Sequence, residues 1–249
     1  MKKYTIALVF CLLLIESSAQ DSTAIVLDYY LHKSGSLALW QSTFSMETIG
    51  VSSVYDGGFT GDLPNRTRIF EKRVSRKGYR NSKDAYIENN IPKEDFVCVD
   101  DTSYQLVSLD PHGISSSFSV PIYEEDHIAK TSNARFTPQL KLLYSNDTLT
   151  SRQYEGIRNL GDDSYWLISF IKEKQKTTWY INVKSGLLER IEEGPGNYTT
   201  LSDYKDFQQR LMPCDMKIYQ SGKLIYHETI SSYRFNIELE SCEIFLFKE

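Results

Sequence analysis

The stretch from Ser164 to Ile191 narrows the possible folds more than any other part of the chain. It holds three short runs, Ser164 to Ile171, Thr177 to Val183 and Leu187 to Ile191, with a Lys184-Ser185-Gly186 turn between the last two. Runs rich in Trp, Tyr, Ile and Val that are split by turn residues read as consecutive antiparallel strands. In the second run Trp179, Ile181 and Val183 share one face while Thr178, Tyr180 and Asn182 share the other, the period of two that a half-buried strand needs. The first run differs: Tyr165, Leu167 and Ile171 are apolar on one side, and Trp166, Ile168 and Phe170 on the other. Such a strand needs cover on both faces. A helix or second sheet is one kind of cover, and a greasy ligand is the other.

The ends and the composition restrict the setting. Met1-Lys2-Lys3-Tyr4, the apolar run Thr5 to Ile15 and Ser17-Ser18-Ala19 have the order of a secretory signal peptide, with cleavage expected near Ala19. Cys11 follows Phe10 where a lipidation site wants a small residue, so no lipid anchor is expected. No later apolar segment has the length of a membrane span, and the expected product is a soluble, exported, periplasmic protein. Residues 20–249 are expected to fold as one domain, since no repeat, low-complexity segment or linker divides them. Seventeen Tyr, twelve Phe and three Trp favour strands over helices. A net charge of −5 argues against nucleic acid as a partner. Export would leave Cys98, Cys214 and Cys242, which allow at most one internal disulfide and leave a Cys214 to Cys242 pairing open. Asn65, Asn146 and Asn197 begin sequons that matter only in a glycosylating host.

Taken in order, Asp21 and Ser22 cap a helix with the stripe Ile25, Val26, Leu27, Tyr30 and Leu31, ending at Ser34-Gly35. A short helix at Leu37 to Trp40 precedes a strand at Thr43 to Ile49. After two turn-rich segments, Arg66 to Arg80 is a basic strand region carrying Arg66, Arg68, Lys72, Arg73, Arg76, Lys77 and Arg80, either a contact ladder for an anionic partner or a set of solvated side chains. Strands follow at Asp84 to Glu88 and on both sides of Asp100-Asp101. Glu124 to Tyr144 turns helical, with Pro138 placed to start the second of two short helices. After Gly194-Pro-Gly-Asn197, further strands surround a hairpin turn at Ser221-Gly222.

No His-Glu-x-x-His helix, no Gly-x-Ser-x-Gly elbow and no phosphate loop occurs, and the four His are scattered. Nothing assembles a nucleophile, a base and an oxyanion donor. The chain is expected to be neither an enzyme nor a holder of a cofactor or metal.

Several motifs resemble the LolA/LolB-like lipoprotein-carrier family, as in exported Bacteroidetes-type proteins. They are the helix, short helix and strand from Ile25 to Ile49, Pro64-x-Arg-x-Arg68, and the hairpin Val97 to Tyr104. Most specific is Trp179-Tyr-Ile-Asn-Val-Lys-Ser-Gly-Leu-Leu188, similar to a family hairpin with Asp where Asn182 stands. Ser202-Asp203-Tyr204, Met212-Pro213 and Phe235-Asn236-Ile-x-Leu239 with Phe245 complete the series. The resemblance implies a mainly β fold with helices (α+β), a single curved, incomplete antiparallel β-barrel closed by short helices. It also implies an apolar interior that holds the acyl chains of a lipoprotein or lipid. The expected lipid-binding lining is Phe44, Met46, Trp166, Ile168, Phe170, Trp179 and Ile181, positions that an ordinary filled core would use equally well. Burial of hydrocarbon would drive binding at about 0.8 kcal/mol per methylene. The expected state is a monomer. The alternative is a non-enzymatic interaction module that docks a membrane-protein partner through its sheet edge or basic strand.

Overall fold

The computed structural model describes residues 22–55, 66–75, 80–88, 91–99, 103–121, 138–144, 151–172 and 174–238. The signal peptide, the Asp100-Asp101 turn, Glu124 to His127, Ile128, Cys242 and Phe245 lie outside these residues. Two helices open the described chain, α1 at residues 22–34 and α2 at Leu37–Gln41. The Ser36 hydroxyl caps α2 by accepting from the Leu39 N–H, which satisfies one of the orphan donors at its start.

Strands then follow one another, with a single helical interruption among the described residues. They are β1 Ser45–Val54, β2 Arg66–Ser75, β3 Arg80–Glu88, β4 Ile91–Val99, β5 Ser103–Asp110 and β6 Gly113–Pro121. Helix α3, Pro138–Tyr144, starts at the expected proline. Next come β7 Ser151–Leu160, β8 Asp163–Lys172, β9 Gln175–Asn182, β10 Leu188–Gly194, β11 Asn197–Phe207, β12 Arg210–Gln220 and β13 Lys223–Phe235. All thirteen strands belong to one antiparallel sheet, ordered β6-β5-β4-β3-β2-β1-β13-β12-β11-β10-β9-β8-β7. Two meanders are thus joined where β1 pairs with β13, Met46 opposite Phe235 and Val54 opposite Tyr226. Among the described residues no pairing joins β6 to β7, so the sheet is open, as an incomplete barrel requires.

Local chemistry explains the turns. Ser221 and Gly222 adopt φ of 51° and 77°, the two positive values a two-residue hairpin turn needs. Asn182 heads the Lys184-Ser185-Gly186 turn by accepting from the Lys184 and Ser185 N–H groups at 2.8 and 3.1 Å.

The helices lie against one face of the sheet. A first apolar cluster joins Leu31 of α1 and Trp40 of α2 to Met46, Phe70, Met212, Ile230, Tyr233 and Phe235. A second joins Val26, Leu27 and Tyr30 of α1 to Ile168, Trp179, Ile181, Leu188 and Leu201. Leu142 of α3 packs against both. The helices therefore form part of the core. Ile25, expected in the α1 stripe, faces solvent, which leaves the apolar stripe narrower than the sequence pattern suggests.

Candidate functional site

The doubly apolar strand β8 gets different cover on its two sides. Trp166, Ile168 and Phe170 face α1: Tyr29 meets Trp166 edge-on with centroids 5.5 Å apart, and Tyr30 meets Trp179 at 6.1 Å. On the other face Leu167 pairs with Tyr180 and is buried, while Tyr165 and Tyr180 stand ring edge to ring at 6.1 Å. Side chains of the sheet itself supply the second cover.

Of the seven expected lining residues, Ile168, Trp179 and Ile181 are buried in the second cluster and Met46 in the first. Trp166 and Phe170 are half-buried against the second. Phe44 is 47% exposed and belongs to neither cluster. It precedes β1, and its backbone N–H donates to Asn236 Oδ1, so it lies just outside the strand that turns Met46 toward the first cluster. The structure brings six of the seven to the helix-covered face. The positions they would offer a ligand are occupied by Val26, Leu27, Tyr30 and Leu31 of α1.

The roof is held by one cation that the sequence reading passed over. Arg210 of β12 is buried and donates through Nη2 to Leu39 O and Thr43 Oγ1, both at 2.9 Å, and through Nη1 to Gln208 O at 3.0 Å. Its guanidinium lies 4.4 Å from the Phe235 ring, and burial lowers its pKa from the ordinary arginine value. An arginine beside a two-glutamine turn gives no sequence signal of this clamp.

Two cations of the basic strand region, Lys72 and Arg73, are paired within the sheet. Lys72 bonds Glu228 at 2.7 Å above the Phe70 ring, and Arg73 bonds Glu47 at 2.9 Å and Glu71 at 2.5 Å. Arg68 lies 5.0 Å over Tyr86. The ladder reading therefore gives way to solvated and paired side chains for these residues. Cys214 is a free, buried thiol whose pKa burial raises, the setting of an inert cysteine.

A cavity of about 470 Å³ opens between β10 and β11, and its wall combines Tyr165, Tyr180 and Glu189 with Leu201 and Tyr204 of the cluster under α1. The β10·β11 ladder runs only from Arg190 opposite Thr200 to Gly194 opposite Asn197, and toward Leu188 the two strands part. Tyr165 and Tyr180 wall the opening, and Tyr204 closes it by donating its hydroxyl to Leu188 O. Glu189 accepts from Tyr165 Oη at 2.9 Å and from Asn182 Nδ2 at 3.3 Å. Burial and then that hydrogen bond push the Tyr165 hydroxyl up to about 12.

Solved structures share the architecture at low identity. A DUF1329 family protein from Desulfovibrio piger is 12% identical, with a TM-score of 0.53 over 88% of this chain and 95% of that one. A LolA superfamily protein from Nitrosomonas europaea is also 12% identical, with a TM-score of 0.43 over 91% of this chain and 98% of that one. No family model matches the sequence, and no curated protein sequence matches it. What the first likeness shows is the fold.

Proposed function

We propose that this protein is an exported, periplasmic, non-enzymatic LolA-like carrier that holds acyl chains of a lipoprotein or lipid against the helix-covered face of its sheet. One observation carries the reading: that apolar face is roofed by short helices whose own polar atoms are poorly served. Tyr30 Oη of α1 and Gln139 Oε1 of α3 are buried without a hydrogen-bond partner among the described residues. Each such orphan costs about 1–3 kcal/mol. The four buried apolar side chains of α1 contribute about 1.5–3 kcal/mol each, on the order of 6–12 kcal/mol together. An acyl chain of about 15 methylenes would contribute a comparable ~12 kcal/mol. Hydrocarbon and helix are therefore matched competitors for the same wall, and the orphaned polar atoms favour the helices' return to water.

Organic extraction of the purified protein followed by mass spectrometry should recover acyl species, and the stripped protein should take up a fluorescent fatty acid saturably. A blank extract together with no uptake would sink the reading.

A second reading, a module that docks a membrane-protein partner, draws on the sheet edge. β7 pairs only with β8 among the described residues and leaves Ile157 60% exposed. Membrane-protein pull-down abolished by Ile157→Asp, with fatty-acid uptake absent, would favour it over the carrier.

A further inference from the structure

The cavity between β10 and β11 draws its wall from both faces of the sheet. Leu201 is buried in the cluster under α1 and Tyr204 packs against that cluster, whereas Tyr165 and Glu189 meet on the other face. We propose that this opening is a lateral port that takes the far end of a long acyl chain lying on the helix-covered wall. The inference rests on the carrier reading and adds to it where the chain ends.

The sheet is interrupted here on both strands. Glu189 is an extra residue in β10, since Leu188 pairs with Ile181 and Arg190 with Tyr180, and a bulge of this kind breaks a ladder and re-aims side chains. Asp203 of β11 has φ of 52°, a left-handed value uncommon for a residue with a Cβ. The ladder between the two strands accordingly reaches no further than Arg190 opposite Thr200. Beyond it the Tyr204 hydroxyl donates to Leu188 O across the gap. A hydroxyl on a rotatable side chain is a looser closure than a run of backbone bonds.

What the wall leaves for a ligand is apolar. Its charged groups are already served. Glu189 accepts from Tyr165 Oη at 2.9 Å and Asn182 Nδ2 at 3.3 Å, and Lys205 holds Asp203 at 2.8 Å. Arg190 lies 3.7 Å from Glu192 and 3.8 Å over the Tyr198 ring. Leu160, by contrast, is 42% exposed at the cavity, surface that a hydrocarbon would take out of water. The volume of about 470 Å³ falls in the ~300–1,000 Å³ range of small-molecule sites and has room for several methylenes.

The test is competition against a fluorescent fatty acid by saturated acids of about 8 to 18 carbons. In the parent, affinity should keep rising by about tenfold for each two methylenes added, up to the longest chain, as continued burial requires. Leu160→Glu sets a charge in the path, and Ser202→Trp fills the opening from its exposed rim. Both should leave the short acids unchanged and bind the longest at least about tenfold more weakly than the parent. Circular dichroism and the thermal midpoint establish that each variant is folded. A long acid with a diazirine at its last carbon, which needs no variant, should on irradiation label cavity residues such as Leu160 or Glu189, as peptide mass spectrometry reads. Equal chain-length dependence in the parent and both folded variants, or terminal labels confined to α1 and the residues beneath it, would overturn the port and leave the carrier standing. No uptake at any length would overturn the carrier reading and the port with it.

Discussion

Single residues carry much of the geometry. Gly186 has φ of +73°, and a Cβ there would come within 2.6 Å of Tyr29 Cε1 and 2.7 Å of Lys33 Cγ, so the β9–β10 turn touches α1 only because nothing projects from it. Gly186→Ala should lower stability by about 1–3 kcal/mol, read as a shift in the urea midpoint, through strain and a lifted helix. Glu47 is buried on the helix-free side, and burial alone would raise its pKa. Hydrogen bonds from Arg234 and Arg73 reverse that and hold it below the usual glutamate value. The folded protein thus takes up this proton less readily than the unfolded chain does. The stabilisation is complete above the unfolded carboxylate range, about pH 4–5, and is lost as the pH falls through the lower folded value. Denaturant titrations from pH 7 to pH 3 should show a shallower acid decline in Glu47→Gln than in the parent, with about 1–3 kcal/mol lost at neutral pH. The Asn182 turn and the Ser221-Gly222 turn were legible as residues because their side chains or their missing Cβ announce the backbone they need. The Gln208-Gln209 turn was not: both adopt positive φ, 53° and 63°, without the Gly or Asn that signals it.

At the scale of elements, α1 is both core and cover. Leu27→Ala removes one of its buried contacts and should cost about 2–5 kcal/mol in thermal or denaturant stability. If the acyl chain competes with α1 for the wall, the same variant should bind a fluorescent fatty acid more tightly than the parent. Equal or weaker uptake would argue that the helix is a fixed wall. Most elements could be read from pattern. The strands from β8 to β13 alternate or run apolar between turn residues, and α1 and α3 carry caps or a starting proline. Strand β7, Ser-Arg-Gln-Tyr-Glu-Gly-Ile-Arg-Asn-Leu, escaped notice because it is a largely exposed edge interrupted by a Gly156 bulge, with too few apolar residues to show a period of two. Six of the seven residues expected to line the interior share the helix-covered face, since inward alternation on a strand is a strong signal. Phe44 failed because alternation has no meaning one residue before the ladder starts. The cavity was invisible for a related reason: it arises where two ladders part, and register is a property of pairs of strands that no single run displays.

For the whole molecule the open sheet is the main hazard and the main opportunity. An edge strand with Ile157 outward invites pairing with another chain. Ile157→Lys should reduce concentration-dependent light scattering without shifting the thermal midpoint by more than a few tenths of a kcal/mol equivalent. The join between the meanders has a further result. Ser45 Oγ donates to the Ile237 carbonyl across a sequence separation of 192, beside the ladder of β1 with β13. Among the described residues that ladder is the only strand pairing that unites the halves, and its members are the first and the last of the described strands. A ribosome-bound or half-translocated chain therefore cannot zip its own middle seam. Closing the seam waits until β13 has been made, a long-range pairing that is slow to form. By the same logic, two separately made halves carry complementary edges, and each is the other's missing template.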